Sequence, residues 1–243
     1  MESGYRKKLF DKYDHTHSSY LNQNEEKVFR WTKRYILRNY LSHINNYDKE
    51  SAKVLDIGCG RGYFLAGLQY FGYKNLFGVD LSPDDIERAM VFTPDIEFFS
   101  QDGREYLSTN KEQFDIILIK AVMEHIPKEE VMPFFDQITQ GLKVGGVAII
   151  DVPNMDWIFA SHERYMDFTH EGGFTKESLR QVMNNCFNDV KILPGEHVLS
   201  NNPIIILKRF LGRMLLNTLL VWSEPDGIGN SLWSRSIIGI GYK

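Results

Sequence analysis

The sequence predicts an α/β fold of the doubly wound kind, in which helices cover both faces of a mostly parallel sheet. From Lys53 onward, short apolar runs alternate with helical stretches, the pattern of successive βαβ units. The first run ends in a glycine-rich turn that enters a helix directly. The 243 residues are 43% hydrophobic, which is enough to build one core of ordinary size.

The pattern of apolar and polar residues predicts an N-terminal helical cap and a main domain of alternating helices and strands. Residues 1–50 are charged and aromatic, and we expect them to form an N-terminal helical cap on a main domain of residues 51–243. Helices are expected at residues 62–71, 83–90 and 128–142, with a turn at 142–146, and Thr175 is expected to cap a later helix. Residues 155–174 look irregular. Strands are expected at residues 54–57, 75–79, 96–99, 114–119, 147–152, 189–193 and 236–242.

Charge and cysteine usage exclude several classes of protein. The net charge of −4 gives no electrostatic footprint for nucleic acid. The two cysteines, Cys59 and Cys186, lack disulfide or metal spacing, which favours a reducing, cytoplasmic setting. The N-terminus has no apolar core of a signal peptide, and no uncharged apolar run is long enough to span a membrane. We therefore expect no stable membrane insertion.

The turn after the first strand carries the strongest signal. It reads D-x-G-x-G-x-G over residues 56–62, with Asp56 two residues before Gly58. A dinucleotide fingerprint would need glycine at position 63, where this chain has Tyr63. An acidic turn suits a positively charged sulfonium ligand with a free amino group better than it suits a pyrophosphate. A nicotinamide dinucleotide is therefore the weaker alternative.

Polar residues also follow the next three strands. Because open parallel sheets bind ligands at the carboxyl ends of their strands, these residues are expected to share one site. Asp80 lies 18 residues after Gly62, near the offset at which an acid binds ribose hydroxyls, and Asp102 is placed to receive an adenine amino group. The expected cofactor-binding residues are Asp56, Gly58, Cys59, Gly60, Gly62, Asp80, Leu81, Ser82, Asp102, Gly103 and Lys120.

These residues resemble, in order and spacing, the cofactor motifs of the class I S-adenosylmethionine (SAM) methyltransferases. The resemblance covers roughly residues 50–155. It implies a Rossmann-like sheet of seven strands with the last antiparallel, SAM as the cofactor and S-adenosylhomocysteine as the product. It says much less about the methyl acceptor.

The segment after the fourth strand narrows the range of possible methyl acceptors. Enzymes that methylate exocyclic base nitrogens carry an Asn/Asp-Pro-Pro-aromatic motif there, and this chain does not. Its residues 122–127, Val-Met-Glu-His-Ile-Pro, resemble a segment of small-molecule and sugar methyltransferases, which places His125 at the mouth of the site. Alternatively, Glu124 and His125 make capping contacts at a helix entry.

A second dense segment, residues 164–175, follows the fifth strand. Together with Pro153-Asn154 before it and Ser178-Leu179 after it, it resembles a pattern of methyltransferases from bacterial surface-polysaccharide (capsule or lipopolysaccharide) gene clusters. The resemblance implies an oxygen acceptor, a hydroxyl or phosphate group of a small sugar- or nucleotide-linked precursor. Alternatives are N-methylation of an amino sugar, a non-catalytic SAM-binding partner subunit, and a purely structural loop.

The chemistry depends on the acceptor. A hydroxyl needs a general base near neutral pH, for which His170 is the first candidate and His125 the second. An anionic phosphate or phosphoramidate oxygen needs cations instead, and Arg164, Lys120 and Arg61 are available. The expected catalytic residues are His170, His125, Tyr165, Asp167 and Arg164.

Two further features lie outside these motifs. Residues 203–222, within an insertion at about 200–230, form an amphipathic stretch that carries Lys208, Arg209 and Arg213. We favour a lid over the site or a homodimer contact above a membrane-surface helix. His15 and His17 have H-x-H spacing, but no further ligand lies nearby in the sequence, so no metal site is expected.

Overall fold

A single mixed sheet of seven strands forms the centre of the computed structural model, which describes residues 24–195, 202–223 and 234–243. Its strand order is β3-β2-β1-β4-β5-β7-β6. The pairs among β1 to β5 are parallel, and β7 is antiparallel to both β5 and β6. The strands are β1 (Lys53–Ile57), β2 (Asn75–Asp80), β3 (Glu97–Ser100), β4 (Phe114–Lys120), β5 (Leu142–Pro153), β6 (Asp189–Pro194) and β7 (Ser236–Tyr242).

Helices connect these strands and precede them. One 3₁₀ turn, Met123–His125, follows β4. The α-helices are α1 (Glu25–Asn39), α2 (Leu41–Ile44), α3 (Tyr63–Tyr70), α4 (Pro83–Phe92), α5 (Gly103–Thr109), α6 (Lys128–Gly141), α7 (Ala160–Tyr165), α8 (Lys176–Met183) and α9 (Pro203–Ser223).

The sheet is buried on both faces because its strands alternate between two apolar layers. Leu55 and Ile57 belong to one buried cluster, together with residues of α5, α6 and α8. Val54 belongs to the other, together with residues of α1, α3 and α4. Successive side chains of a strand point to opposite faces, so each parallel strand feeds both layers. The predicted doubly wound fold with an antiparallel last strand is confirmed.

The turn predicted before the fifth strand lies inside that strand. Phe114 pairs with Leu142, and the next pair is Ile116 with Val147, so β5 bulges out between its first residue and Val147. Gly145 adopts a left-handed φ of 77° there, which glycine does at little cost. The strand therefore begins five residues earlier than the sequence pattern predicted.

Helix α8 begins at the predicted cap. The Thr175 hydroxyl accepts a hydrogen bond from the Ser178 amide (3.1 Å), and the Ser178 hydroxyl accepts one from the Thr175 amide (2.9 Å). Serine thus completes a capping box in which an acid is the usual partner. The short helices α5 and α7 were not predicted, because one or two turns carry too little periodicity.

The stretch predicted to be amphipathic forms helix α9, and its described apolar side chains are exposed. Phe210 is 63% exposed and Leu215 is 62% exposed. Among the described residues, no helix is both long enough and apolar enough to cross a membrane. His15 and His17 lie outside the described residues.

Replacing Phe210 and Leu215 by serine should leave the stability of the domain nearly unchanged, because neither side chain is buried. We expect a change in unfolding free energy within about 0.5 kcal/mol, as is usual for exposed positions, measured by chemical denaturation. Ile36→Ala serves as the control, because Ile36 is fully buried and such a truncation costs about 2–5 kcal/mol. A comparable loss in the α9 variant would show that α9 packs on the body of the domain.

Candidate active site

The turn after β1 is built on three glycines with left-handed backbones. The φ angle is 73° at Gly58, 50° at Gly60 and 74° at Gly62, a region that other residues rarely adopt. A Cβ atom at Gly58 would lie 2.2 Å from Cγ2 of Val122. The turn therefore requires glycine for its backbone conformation and also for its contact with the segment after β4.

Asp80 joins the turn after β1 to the turn after β2. Its Oδ2 accepts a hydrogen bond from the Gly60 amide (2.8 Å), and its Oδ1 accepts one from the Ser82 amide (2.9 Å). Burial raises the pKa of Asp80, and these two amides oppose the shift. The Ser82 hydroxyl caps α4 by accepting from the Asp85 amide, whereas the adjacent Leu81 is exposed.

Asp56 is a buried carboxyl at the end of β1, with 4% of its surface exposed. Burial, followed by the charge of Asp80, raises the pKa of Asp56 to about 8, and Lys120 acts in the opposite direction. A cation bound nearby would favour the ionised form, so this carboxyl fits a positively charged ligand. The Cys59 thiol is also buried, and burial raises its pKa, which makes it a neutral packing group.

Asp102 caps the unpredicted helix α5. It accepts a hydrogen bond from the Arg104 amide and forms an ion pair with the Arg104 guanidinium (2.6 Å), which also pairs with Glu130. Burial would raise the pKa of Asp102, but its bonds to Arg104 outweigh burial and lower it. A Cβ atom at Gly103 would lie 2.4 Å from Cγ2 of Ile57, so the start of α5 lies against the end of β1.

Lys120 belongs to a buried network that the sequence analysis missed. Oδ2 of Asp151 accepts hydrogen bonds from the hydroxyls of Tyr35 and Tyr40 (2.6 Å each) and from Nζ of Lys120 (3.0 Å). Burial would raise the pKa of Asp151, but Lys120 and the two tyrosines lower it. The acid in the apolar run of the fifth strand was the only sequence signal, since its tyrosine partners lie more than a hundred residues away.

Glu124 is buried beneath the loop that follows β5. Its backbone carbonyl accepts hydrogen bonds from the amides of Glu171 (2.8 Å) and Gly172 (3.1 Å), which pins the loop to the 3₁₀ turn. Within the described part of the chain, Oε2 of its carboxyl is buried and has no hydrogen-bond partner. Burial raises the pKa of Glu124 to about 8, although its own backbone amide and Lys120 oppose the shift.

His125 connects to Asp167 through a threonine. The Thr169 hydroxyl donates to Oδ1 of Asp167 (2.7 Å) and lies 2.9 Å from Nδ1 of His125. The hydroxyl has only one proton, and it donates that proton in the hydrogen bond to the Asp167 carboxylate. Nδ1 of His125 must therefore be the donor in the second hydrogen bond. The hydrogen-bond pattern therefore assigns the proton of neutral His125 to Nδ1, with Nε2 as the basic nitrogen.

His170 is oriented in the same way and lies next to His125. Its Nδ1 is 2.8 Å from the backbone carbonyl of Glu163, which can only accept, so Nδ1 donates and Nε2 is again the basic nitrogen. The two imidazole rings are 4.8 Å apart at their centroids. The sequence analysis selected both histidines as catalytic candidates, and the fold brings them together from positions 45 residues apart.

Arg164 holds the loop that presents His170. Its guanidinium donates to the carbonyls of His170 (2.5 Å) and Glu171 (3.1 Å). The neighbouring Tyr165 is 77% exposed and makes its contact with the Arg164 guanidinium. Arg61, a candidate cation for an anionic acceptor, instead forms a largely buried ion pair with Asp85 (3.1 Å).

The chain matches the family described as methyltransferase domain over residues 20–186, more than half of its length, and it belongs to that family. The sheet order and the glycine turn at the end of β1 are those of the class I SAM-dependent methyltransferase fold. The family and the fold are those that the sequence predicted.

Curated relatives and solved structures agree on this class. The ubiquinone biosynthesis O-methyltransferase of Rickettsia canadensis is 31% identical over 123 residues, 49% of this chain and 50% of that protein. That of Rickettsia typhi is 28% identical over 160 residues, 63% of each. The chain thus spans between half and just under two thirds of these relatives.

Two solved structures share the fold. A SAM-dependent methyltransferase from Archaeoglobus fulgidus is 22% identical, covers 99% of this chain and 100% of its own, and has a TM-score of 0.63. The plantazolicin methyltransferase solved with S-adenosylhomocysteine is 18% identical, covers 98% and 90%, and has a TM-score of 0.59.

The raised pKa of Asp56 predicts a stability that falls as the pH rises. The folded carboxyl keeps its proton up to about pH 8, whereas the unfolded one loses it near pH 4. Between these values the folded state binds more protons, so each step upward in pH favours unfolding. Asp56→Asn removes this effect, and its melting temperature relative to wild type should rise between pH 5 and pH 8.5.

Differential scanning calorimetry at both pH values measures this difference. Asp95→Asn, at an exposed position, is the matched control and should show a much smaller pH dependence. An Asp56→Asn variant whose advantage is the same at pH 5 and at pH 8.5 would contradict the raised pKa.

Proposed function

We propose that this protein transfers the methyl group of SAM to an oxygen atom of a small polar acceptor. One observation carries the proposal: the glycine turn, Asp56 and Asp80 lie together at the carboxyl ends of β1 and β2, next to the point between β1 and β4 at which the strand order reverses. This is the switch point of the sheet, where open α/β folds bind their ligands. Bound there, SAM supplies an electrophilic methyl group on a cationic sulfur.

The residues at this edge fit the cofactor. The left-handed turn at Gly60 allows a ligand to approach the backbone closely, and the buried carboxyls of Asp56 and Asp80 favour a cationic ligand. Asp80, already fixed by two amides, has lone pairs left for ribose hydroxyls. Asp102 receives the adenine amino group, and Lys120 provides positive charge for the cofactor's carboxylate.

We infer that the acceptor is a hydroxyl. The names of the curated relatives, which are O-methyltransferases, support an oxygen acceptor, and the resemblance of residues 153–179 to surface-polysaccharide methyltransferases supports a sugar- or nucleotide-linked precursor. A phosphate-derived oxygen is less well supported, since Arg164 is engaged by two loop carbonyls and Arg61 by Asp85. A panel of acceptors distinguishes this proposal from methylation of a ubiquinone-type phenol or an amino sugar. A non-catalytic subunit would methylate none of them.

His170, with His125 as the second candidate, removes the acceptor's proton in this proposal. Nδ1 of each imidazole is held by the protein, so Nε2 is the nitrogen that would accept this proton. The oxygen then attacks the methyl carbon, and the electron pair of the broken carbon–sulfur bond stays on sulfur. The protein's main task is to hold the acceptor in line, because the leaving group is already good.

The remaining parts of the chain complete the proposal. Residues 1–50 act as a cap, which is supported by the hydrogen bonds of Tyr35 and Tyr40 to Asp151. The exposed apolar side chains of α9 support a contact surface, either a lid or a homodimer interface. The free thiols of Cys59 and Cys186 support a cytoplasmic location.

Isothermal titration calorimetry tests the cofactor assignment. The purified protein should bind SAM or S-adenosylhomocysteine and should not bind NAD. Asp80→Ala should weaken binding by about 1.5–3 kcal/mol, the value of hydrogen bonds to a charged group, and Gly60→Val should abolish it while the sheet stays folded. Binding of NAD without binding of SAM would overturn the proposal.

Initial rates of S-adenosylhomocysteine release test the acceptor chemistry. On a hydroxyl acceptor, His170→Ala should lower kcat by about 10²–10⁴-fold, the range for a lost proton-transfer group, with SAM affinity nearly unchanged. On an already anionic acceptor the same change should cost far less, and Arg164→Ala should cost more because the loop loses its support.

His162→Ala, in the neighbouring helix α7, is the matched control and should retain wild-type kcat. A wild-type kcat for His170→Ala on a verified hydroxyl acceptor would reject His170, and His125→Ala would then be the next variant to measure.

A further inference from the structure

Three side chains of the types that bind metals come together beyond the carboxyl ends of β4 and β5. Glu124 and His125 come from the 3₁₀ turn after β4, and His170 comes from the loop after β5. One possible ligand atom from each residue lies within 4.8 Å of the other two. No spacing in the sequence indicates this group, because one ligand is supplied by a segment 45 residues later.

The distances suit a single ion after small side-chain rotations. Nitrogen and oxygen ligands lie about 2.0–2.2 Å from a first-row divalent metal, so two ligands of one ion are at most about 4.4 Å apart. The distances among the three possible ligand atoms, which are at most 4.8 Å, exceed that limit by less than half an ångström.

The surroundings of the two imidazoles are those of metal-binding histidines. Nδ1 of His170 donates to the Glu163 carbonyl, and Nδ1 of His125 donates to the Thr169 hydroxyl, which is itself bonded to Asp167. Such outer contacts fix the tautomer and the ring orientation, and they increase the basicity of the second nitrogen. Both rings would therefore bind an ion through Nε2.

The carboxyl of Glu124 supplies an independent observation. Its Oε2 is buried and, among the described residues, accepts no hydrogen bond, although a buried carboxylate oxygen normally has a partner. An ion between Glu124 and the two histidines would provide that partner. A purely structural helix-entry pair gives no reason to bury this oxygen without one.

We propose that Glu124, His125 and His170 form a binding site for one divalent first-row transition metal ion such as Mn²⁺, Fe²⁺, Co²⁺ or Zn²⁺. Two imidazoles and one carboxylate suit these ions and leave coordination positions open for oxygen atoms of another molecule. The site lies beside the switch point at which the cofactor is placed, so its open positions are suited to the methyl acceptor.

The consequence for the reaction rests on the proposed function. An acceptor hydroxyl bound to the ion loses its proton more readily, because the metal stabilises the resulting oxyanion. The O–H bond breaks, its electron pair remains on the oxygen, and the proton passes to solvent water. With the ion bound, the two histidines act as its ligands instead of as the base, and the ion lowers the pKa of the acceptor hydroxyl.

Metal binding is measurable without SAM and without an acceptor. The full chain is stripped with a chelator and titrated with Mn²⁺ alone, and free Mn²⁺ is followed by electron paramagnetic resonance. We expect one Mn²⁺ per chain, with Zn²⁺ competing for the same site. His170→Ala and Glu124→Gln should each weaken binding at least tenfold, whereas His162→Ala should bind as wild type does.

Circular dichroism shows which variants are folded, and His170→Ala, at a loop position, keeps the test valid if Glu124→Gln does not fold. Absence of stoichiometric binding of Mn²⁺ and Zn²⁺, or binding that survives His170→Ala unchanged, would overturn the site. Metal-free protein with full SAM-dependent turnover would leave the histidines as the base. Metal binding without affinity for SAM would overturn the proposed function but would support the metal site.

Discussion

The close approach of the turn after β1 to the segment after β4 is the constraint on which the rest of the candidate site depends. Val122 occupies the place where any other residue at position 58 would have its Cβ atom. The chain reaches this contact through Ala121, which adopts a left-handed φ of 55° at some cost in strain. The Ala121 amide donates to the Asp151 carbonyl, and this bond helps to hold the conformation. The 3₁₀ turn with Glu124 starts directly from this point.

Electrostatics link the end of β1 to the 3₁₀ turn after β4 and to β5. Lys120 opposes the raised pKa values of Asp56 and Glu124 and helps to lower that of Asp151, with which it forms an ion pair. Burial raises the pKa values of Asp56 and Glu124 in spite of this lysine. The buried carboxyls of Asp56, Glu124 and Asp151 make this edge of the sheet an environment that favours cationic ligands.

Helix α1 contributes to the same arrangement. Tyr35 and Tyr40, which flank the end of α1, both donate to Asp151, and Ile36 packs where a side chain at Gly67 would otherwise lie. Since Asp151 also binds Lys120, the position of α1 affects the charge at the carboxyl end of β4. A segment that precedes the first strand thus helps to organise the site at the ends of the strands.

The sequence by itself determined the fold class, the order of the strands along the chain and the glycine turn with its acids, because these depend on local periodicity and on backbone conformations that only glycine adopts readily. It also selected His170 from the density of titratable and aromatic residues around it, and His125 from the resemblance of residues 122–127 to a methyltransferase segment. Only the tertiary structure placed the two rings 4.8 Å apart, buried Glu124 beside them and assembled Tyr35, Tyr40, Lys120 and Asp151. These contacts join segments that are distant in the chain, and their geometry depends on how helices and loops pack against the sheet, which no local pattern of residues encodes.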